Sequence, residues 1–167
     1  MIVIISATNR KGSNTLKIAK YYQEALATMG TEAPIFDLSQ LDSVHRNATF
    51  DALEKAYLIP ATKYIIISPE YNGSFSGILK LMIDHSDMKT CFWGKKVALV
   101  GVSTGRAGNL RGLDHLTNIL NYIKVQVLPN KLPISVIHTL LQEQTNTLNH
   151  EPTIAAIQAQ LTEFMAY

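Results

Sequence analysis

The sequence predicts an α/β domain: a five-stranded parallel sheet in the order 2-1-3-4-5, layered between helices on both faces. Three observations carry this reading. Short apolar, β-branched runs such as Ile2–Ser6 and Tyr64–Ile67 have no polar face and end in turn residues, the pattern of strands buried on both sides. These runs alternate with stretches of helical apolar spacing, and parallel neighbours require such crossovers. The segments that follow strands one, three and four are polar and rich in small residues, as expected where an open α/β sheet receives a ligand.

Each element has a local cause. Strand one is Ile2 to Ser6; with no basic stretch ahead of it and a run that stops at Ser6, it reads as a strand and not as a signal peptide. Leu16, Ala19, Tyr22 and Leu26 mark the first helix, which Gly30 stops. Strand two spans Ala33 to Asp37, and a helix over Phe50 to Leu58 ends before Pro60. Strand three, Lys63 to Ser68, leads through a Pro-Asn-Gly loop into a helix from Gly77 to about Met88. Strand four covers Lys96 to Ser103, a helix runs from Leu110 to Ile123, and strand five is Val125 to Leu128. The terminal helix, Thr153 to about Met165, aligns Ile154, Ile157, Leu161 and Phe164 on one face. Residues 130–152 are the least regular, with Gln142 to Glu151 expected to be mobile.

A length of 167 residues fits one domain, and 47% hydrophobic with 17% charged residues marks a compact core and excludes disorder. A net charge of +2 gives no footprint for nucleic acid. No segment approaches the roughly 18 consecutive apolar residues of a membrane span, so a soluble, cytoplasmic protein is expected. A single cysteine, Cys91, forbids an internal disulfide and agrees with a reducing compartment; it reads as packing more readily than as a reactive thiol.

The chemistry lies in three loops. The first, Ser6 to Thr15, gathers hydroxyls, amides and two cations directly before a helix. Thr8, Ser13 and Thr15 can donate hydroxyls to a phosphate, Arg10 can pair with it, and a helix N-terminus adds free N–H groups. Simple N-capping by Ser13 or Asn14 accounts for one of these residues and not for the whole loop. The loop matches neither GxxxxGK[ST] nor GxGxxG. The second loop, Ser68-Pro69-Glu70-Tyr71-Asn72-Gly73-Ser74, offers an aromatic face, an amide and Gly-freed backbone, suited to a flat heteroaromatic ring. The third, Ser103-Thr104-Gly105-Arg106-Ala107-Gly108, allows close backbone approach at its glycines, or else only shapes a turn.

These loops resemble those of the NAD(P)H-dependent FMN reductase family, a flavodoxin-like group with a three-layer sandwich that includes soluble quinone, azo-dye and chromate reductases. The likeness rests on the phosphate loop Thr8-Asn9-Arg10-Lys11-Gly12-Ser13 and on Pro69 to Ser74 followed by Leu79-Lys80-Leu81-Met82-Ile83-Asp84. It extends from residue 1 to about 128. The resemblance implies that Thr8, Arg10, Ser13, Asn14 and Thr15 hold the FMN phosphate and that Pro69, Glu70, Tyr71, Asn72 and Gly73 border the ring. Ser103, Thr104, Gly105 and Gly108 would supply a second wall, and Arg106 and Arg111 would attract the nicotinamide donor.

It further implies hydride transfer from NADPH or NADH through FMN to a small electron acceptor, and a homodimer or homotetramer. Two departures stand out: Leu81 where the family has Asn, and Thr62 where it often has an acidic residue. Glu70 and Lys80 equally suit a solvated pair fixing loop to helix. The segment Asp42 to Thr49, with His45 and Arg46, is expected to shape substrate access. His85, His115, His138 and His150 have no metal-ligand spacing. Two other readings stay open: an FMN-binding electron carrier, and a non-catalytic regulatory domain on the same fold.

Overall fold

The computed structural model describes residues 1–142 and 144–167. Strands Ile2–Ser6 (β1), Ile35–Asp37 (β2), Lys63–Pro69 (β3), Lys96–Val102 (β4), Gln126–Val127 (β5) and Leu132–Ile134 (β6) form one parallel sheet. Its order is β2-β1-β3-β4-β5, as the alternation of runs predicts, with β6 pairing to β4. Side-chain alternation divides each central strand between two cores. Ile2 and Ile4 of β1, Ile65 and Ile67 of β3, and Ala98 and Val100 of β4 face one core. Val3 and Ile5, Tyr64 and Ile66, and Val97 and Leu99 face the other.

Helices Asn14–Thr28 (α1), Ala48–Leu53 (α2), Gly77–His85 (α3), Met88–Cys91 (α4), Leu110–Tyr122 (α5) and Glu151–Ala166 (α6) supply the cover. Ile18, Tyr22 and Leu26 of α1 and Ile157, Leu161 and Phe164 of α6 seal the first core. Residues of α2 to α5 seal the second, with Phe50, Leu79, Met82, Leu113 and Leu116 fully or almost fully buried. A polar thread ties the first layer together. Tyr22 donates its hydroxyl to Gln160 Oε1 at 2.7 Å, and Gln160 Nε2 donates to the carbonyls of Leu99 and Asn130. Buried polar groups with partners of this kind fix one helix register where apolar contact alone is less selective.

Three elements differ from expectation, each for a local reason. The fifth strand is short and resumes. Val97 faces Val127 and Val100 faces Leu132, so two extra residues arch out around Pro129, which has no N–H for a ladder. The resumed piece, β6, carries the chain up to the carboxyl edge of the sheet. The helix expected to reach Met88 stops at His85, because Ser86 turns its hydroxyl onto the Met82 carbonyl at 2.7 Å. Asp87 then caps a fresh turn, accepting from the Thr90 N–H at 2.8 Å. The helix expected from Phe50 begins at Ala48, because Asn47 accepts from the Phe50 N–H at 2.9 Å. It widens over Glu54–Leu58, where the Ile59 N–H reaches back five residues to the Glu54 carbonyl.

Within 130–152, Leu141 and Leu148 bridge and the Gln142 carbonyl accepts from the Asn146 N–H at 2.8 Å. Glu143 lies outside the described residues.

Candidate functional site

Parallel strands bring their carboxyl ends to one edge, and there the loops after β1, β3 and β4 meet. They line a cleft of about 140 Å³. Arg10, Ser13, Asn14 and Thr15 come from the first loop, Pro69, Glu70 and Tyr71 from the second, and Val102, Ser103 and Thr104 from the third. Ile137, beyond β6, closes one side. Grooves of about 720 Å³ between α3 and α5 and about 350 Å³ beside α1 are larger. The small cleft is the better site on chemical grounds, since three polar loops converge there.

In the first loop, Ser13 does cap α1, accepting from the Leu16 N–H at 3.1 Å. Capping satisfies one donor. The N–H groups of Asn14 and Thr15 have no partner within the helix by construction, and no acidic side chain occupies the first turn. With exposed Arg10 beside it, this helix end attracts an anion. Thr8 is fully buried beneath the cleft; its Oγ1 lies 2.5 Å from the Tyr71 hydroxyl and accepts from the Arg10 N–H at 3.2 Å.

The second loop is a two-residue hairpin. The N–H groups of Tyr71 and Ser74 donate to each other's carbonyls at 2.8 and 3.0 Å, and Asn72 and Gly73 have φ of 52° and 73°. Asn-Gly is the pair that adopts two positive φ values with little strain, so both residues shape the turn. Asn72 is exposed at its tip, and neither it nor Gly73 lines the cleft. Tyr71 reaches across to the first loop, where the Arg10 guanidinium sits 4.5 Å from its ring centroid. Ser74 Oγ lies 2.9 Å from His115 Nδ1 of α5.

The suggested Glu70–Lys80 pair is not formed. Lys80 sits one helical turn from Asp84 and bonds it at 2.6 Å, while Glu70 Oε2 accepts from the Asn109 N–H at 3.3 Å.

In the third loop, Ser103 Oγ accepts from the Gly108 N–H at 3.0 Å and donates to the Gly105 carbonyl at 2.9 Å. Thr104 faces the cleft. Gly105 lies outside it, and Gly108 is buried against Pro133. Sequence reasoning missed Asn109. This residue is fully buried in the left-handed region, φ 65° and ψ 29°, at the start of α5. Its Nδ2 donates to the carbonyls of Ser68 and Pro69 at 3.1 and 3.0 Å, lacing the third loop to the second. Its Oδ1 is buried with no partner and lies 2.0 Å from where a Cβ on Gly112 would stand. The available signal was Gly-Asn directly before a helix, since Asn tolerates left-handed backbone. Ile137 carried no such signal. It is placed by Val136, a β-branched residue at φ 44°, whose N–H donates to the Gly105 carbonyl.

The segment with His45 and Arg46 does not line the cleft. Arg46 turns onto buried Glu54, with Nη2 at 2.6 Å from Oε2, and also bonds Asp51 and the His85 carbonyl. Burial pushes the Glu54 carboxyl up, but hydrogen bonds from Arg46 and the Asp87 N–H outweigh it and hold it below the usual range. Cys91 is buried beneath this brace; burial pushes its thiol up to about 11, which suits packing. Among the described residues no three His, Cys, Asp or Glu side chains group as a metal site, and no helix is long and apolar enough to cross a membrane.

Comparison with known proteins agrees with this geometry. The sequence model of the NADPH-dependent FMN reductase family matches residues 1–139. An FMN-dependent NADPH-azoreductase of Staphylococcus aureus is 32% identical over 144 residues, covering 78% of this chain and 74% of its own. A flavoenzyme NAD(P)H:(acceptor) oxidoreductase from Paracoccus denitrificans superposes with a TM-score of 0.76 at 20% identity, over 99% of this chain and 94% of its own. A Fusobacterium nucleatum flavodoxin bound to flavin mononucleotide superposes with a TM-score of 0.61 at 18% identity, over 99% and 96% of the two chains, so the fold is flavodoxin-like. The chain belongs to the NADPH-dependent FMN reductase family and is an NAD(P)H-dependent FMN oxidoreductase.

Proposed function

We propose that the cleft is the FMN site, with the phosphate held by Arg10, Ser13, Asn14 and Thr15 over Thr8. The carrying observation is the junction of a helix N-terminus without a first-turn carboxylate, a neighbouring guanidinium, and two further loops closing on the same cleft. At about 140 Å³ the cleft falls below the roughly 300 Å³ lower bound of drug-sized pockets, which suits the phosphate end of the cofactor. The flat ring then rests on the open rim, bordered by Pro69, Glu70 and the Asn72-Gly73 turn on one side and by Ser103, Thr104 and Gly105 on the other.

FMN held there would supply the redox chemistry, hydride acceptance from NADH or NADPH and electron delivery to a small acceptor such as a flavin, a quinone or an azo compound. The chain's own residues bind, orient and leave one face of the rim open to donor and acceptor in turn, which gives a ping-pong cycle. No side chain at the cleft is required as general acid or base. We place the protein in the cytoplasm as a homodimer or homotetramer, whose size is read by light scattering.

The test is an FMN titration followed by quenching of flavin fluorescence. Wild type binds FMN; Arg10→Ala loses a charge-assisted contact and weakens binding by roughly 10- to 150-fold. Equal affinity in wild type and Arg10→Ala defeats the phosphate assignment, and no binding by wild type defeats the site.

A further inference from the structure

Tyr71 has the character of a stacking residue by sequence, yet its side chain is committed elsewhere. Its hydroxyl lies 2.5 Å from Thr8 Oγ1, and Thr8 is fully buried, so this contact is the floor of the first loop. The same Thr8 oxygen accepts from the Arg10 N–H at 3.2 Å, fixing the backbone from which the guanidinium projects. The guanidinium lies 4.5 Å from the Tyr71 centroid, within reach of a cation–π contact. One ring therefore touches the first loop at both ends, below through its hydroxyl and above through its face. Tyr71 can make this reach because the Asn72-Gly73 turn pairs it with Ser74, and Ser74 is braced by His115 of α5.

A loop that binds phosphate loses affinity when it must be ordered at the moment of binding, because ordering costs conformational entropy. We propose that Tyr71 is a positioning residue for the cofactor's phosphate: it holds Thr8 and Arg10 in place and so sets the preference for a phosphorylated over an unphosphorylated flavin. This rests on the cleft being the FMN site. It assigns the tyrosine to the phosphate end, where the family resemblance had put it beside the ring.

The experiment compares FMN with riboflavin, which carries the same ring and no phosphate, as titrants of wild type, Tyr71→Phe, Thr8→Val and the double variant. Tyr71→Phe keeps the ring under Arg10 and removes only the hydroxyl. Its affinity for FMN falls by roughly 2- to 12-fold, the range for one neutral hydrogen bond, while riboflavin binding changes less than twofold. Thr8→Val, which also loses the bond from the Arg10 N–H, weakens FMN binding at least as much, the double variant is no worse than Thr8→Val alone, and Thr8→Ser retains the wild-type preference. That non-additivity is the mark of a shared contact. Far-UV circular dichroism checks that each variant is folded.

Equal loss of FMN and riboflavin in Tyr71→Phe overturns the proposal and makes Tyr71 a ring contact or a general prop. Unchanged FMN affinity, or additive losses, overturns it too. A wild type that binds FMN no better than riboflavin defeats the phosphate site itself, so the two failures are distinguishable.

Discussion

Replacing Asn109 separates the two things it does. Asn109→Ala keeps the left-handed backbone at φ 65° without a residue that favours it, at a cost of roughly 1 kcal/mol. It also removes the amide that donates to the Ser68 and Pro69 carbonyls inside a fully buried site, and an orphaned buried polar group costs about 1–3 kcal/mol. The sum is about 2–4 kcal/mol. Asn109→Gly relieves the backbone part and keeps the rest, so it should be milder than Ala by about 1 kcal/mol.

Gly112 completes the argument, because a Cβ there would stand 2.0 Å from Asn109 Oδ1. Gly112→Ala should therefore destabilise the wild type by several kcal/mol. In the Asn109→Gly background it should be neutral, or stabilise by up to about 1 kcal/mol through helix propensity. Urea unfolding followed by Trp93 fluorescence and circular dichroism measures all five proteins. Asn109→Gly less stable than Asn109→Ala, or the same penalty for Gly112→Ala in both backgrounds, refutes the reasoning.

Glu54 should govern part of the acid limb of stability. Its folded carboxyl lies below the ordinary value, so its contribution is fully present above roughly pH 4.3 and is lost as pH falls from there through the lower folded value. Glu54→Gln should cost about 1–3 kcal/mol at pH 7, and the gap in urea midpoint should narrow as pH falls below that ordinary value; a constant gap contradicts the assignment. Cys91, with its thiol at about 11, should react with Ellman's reagent at pH 8 at least about 100-fold more slowly in native protein than in urea. Equal rates would show an accessible thiolate.

The architecture was legible because β1, β3 and β4 are apolar on both faces, and only a covered parallel sheet accommodates three such strands. The strand order, and the convergence of the Arg10, Tyr71 and Ser103 loops, followed from that. What escaped depends on tertiary contact. Ser86 ends a helix through its own back-bonded hydroxyl, and an apolar stripe that continues past it conceals the break. The split of the fifth strand rests on a register that Pro129 hints at but does not set. Asn109 has a turn residue's identity and a structural residue's burial, and only the second explains its role. Tyr71, whose aromatic face the sequence offers to a ring, also meets Thr8 Oγ1 through its hydroxyl at 2.5 Å. Its partner Thr8 lies 63 positions away, which no local pattern encodes.

The central claim is that this cleft turns a bound flavin over between a nicotinamide donor and a small acceptor. Its most direct measurement is the flavin absorbance of FMN-loaded protein in an anaerobic stopped-flow, mixed first with NADPH or NADH and then with a quinone. The expected result is bleaching by the donor and recovery of colour by the quinone, with parallel lines in double-reciprocal plots of steady-state turnover, as a ping-pong cycle demands. A flavin that binds and stays yellow in the presence of both donors would contradict it and leave an electron carrier in its place.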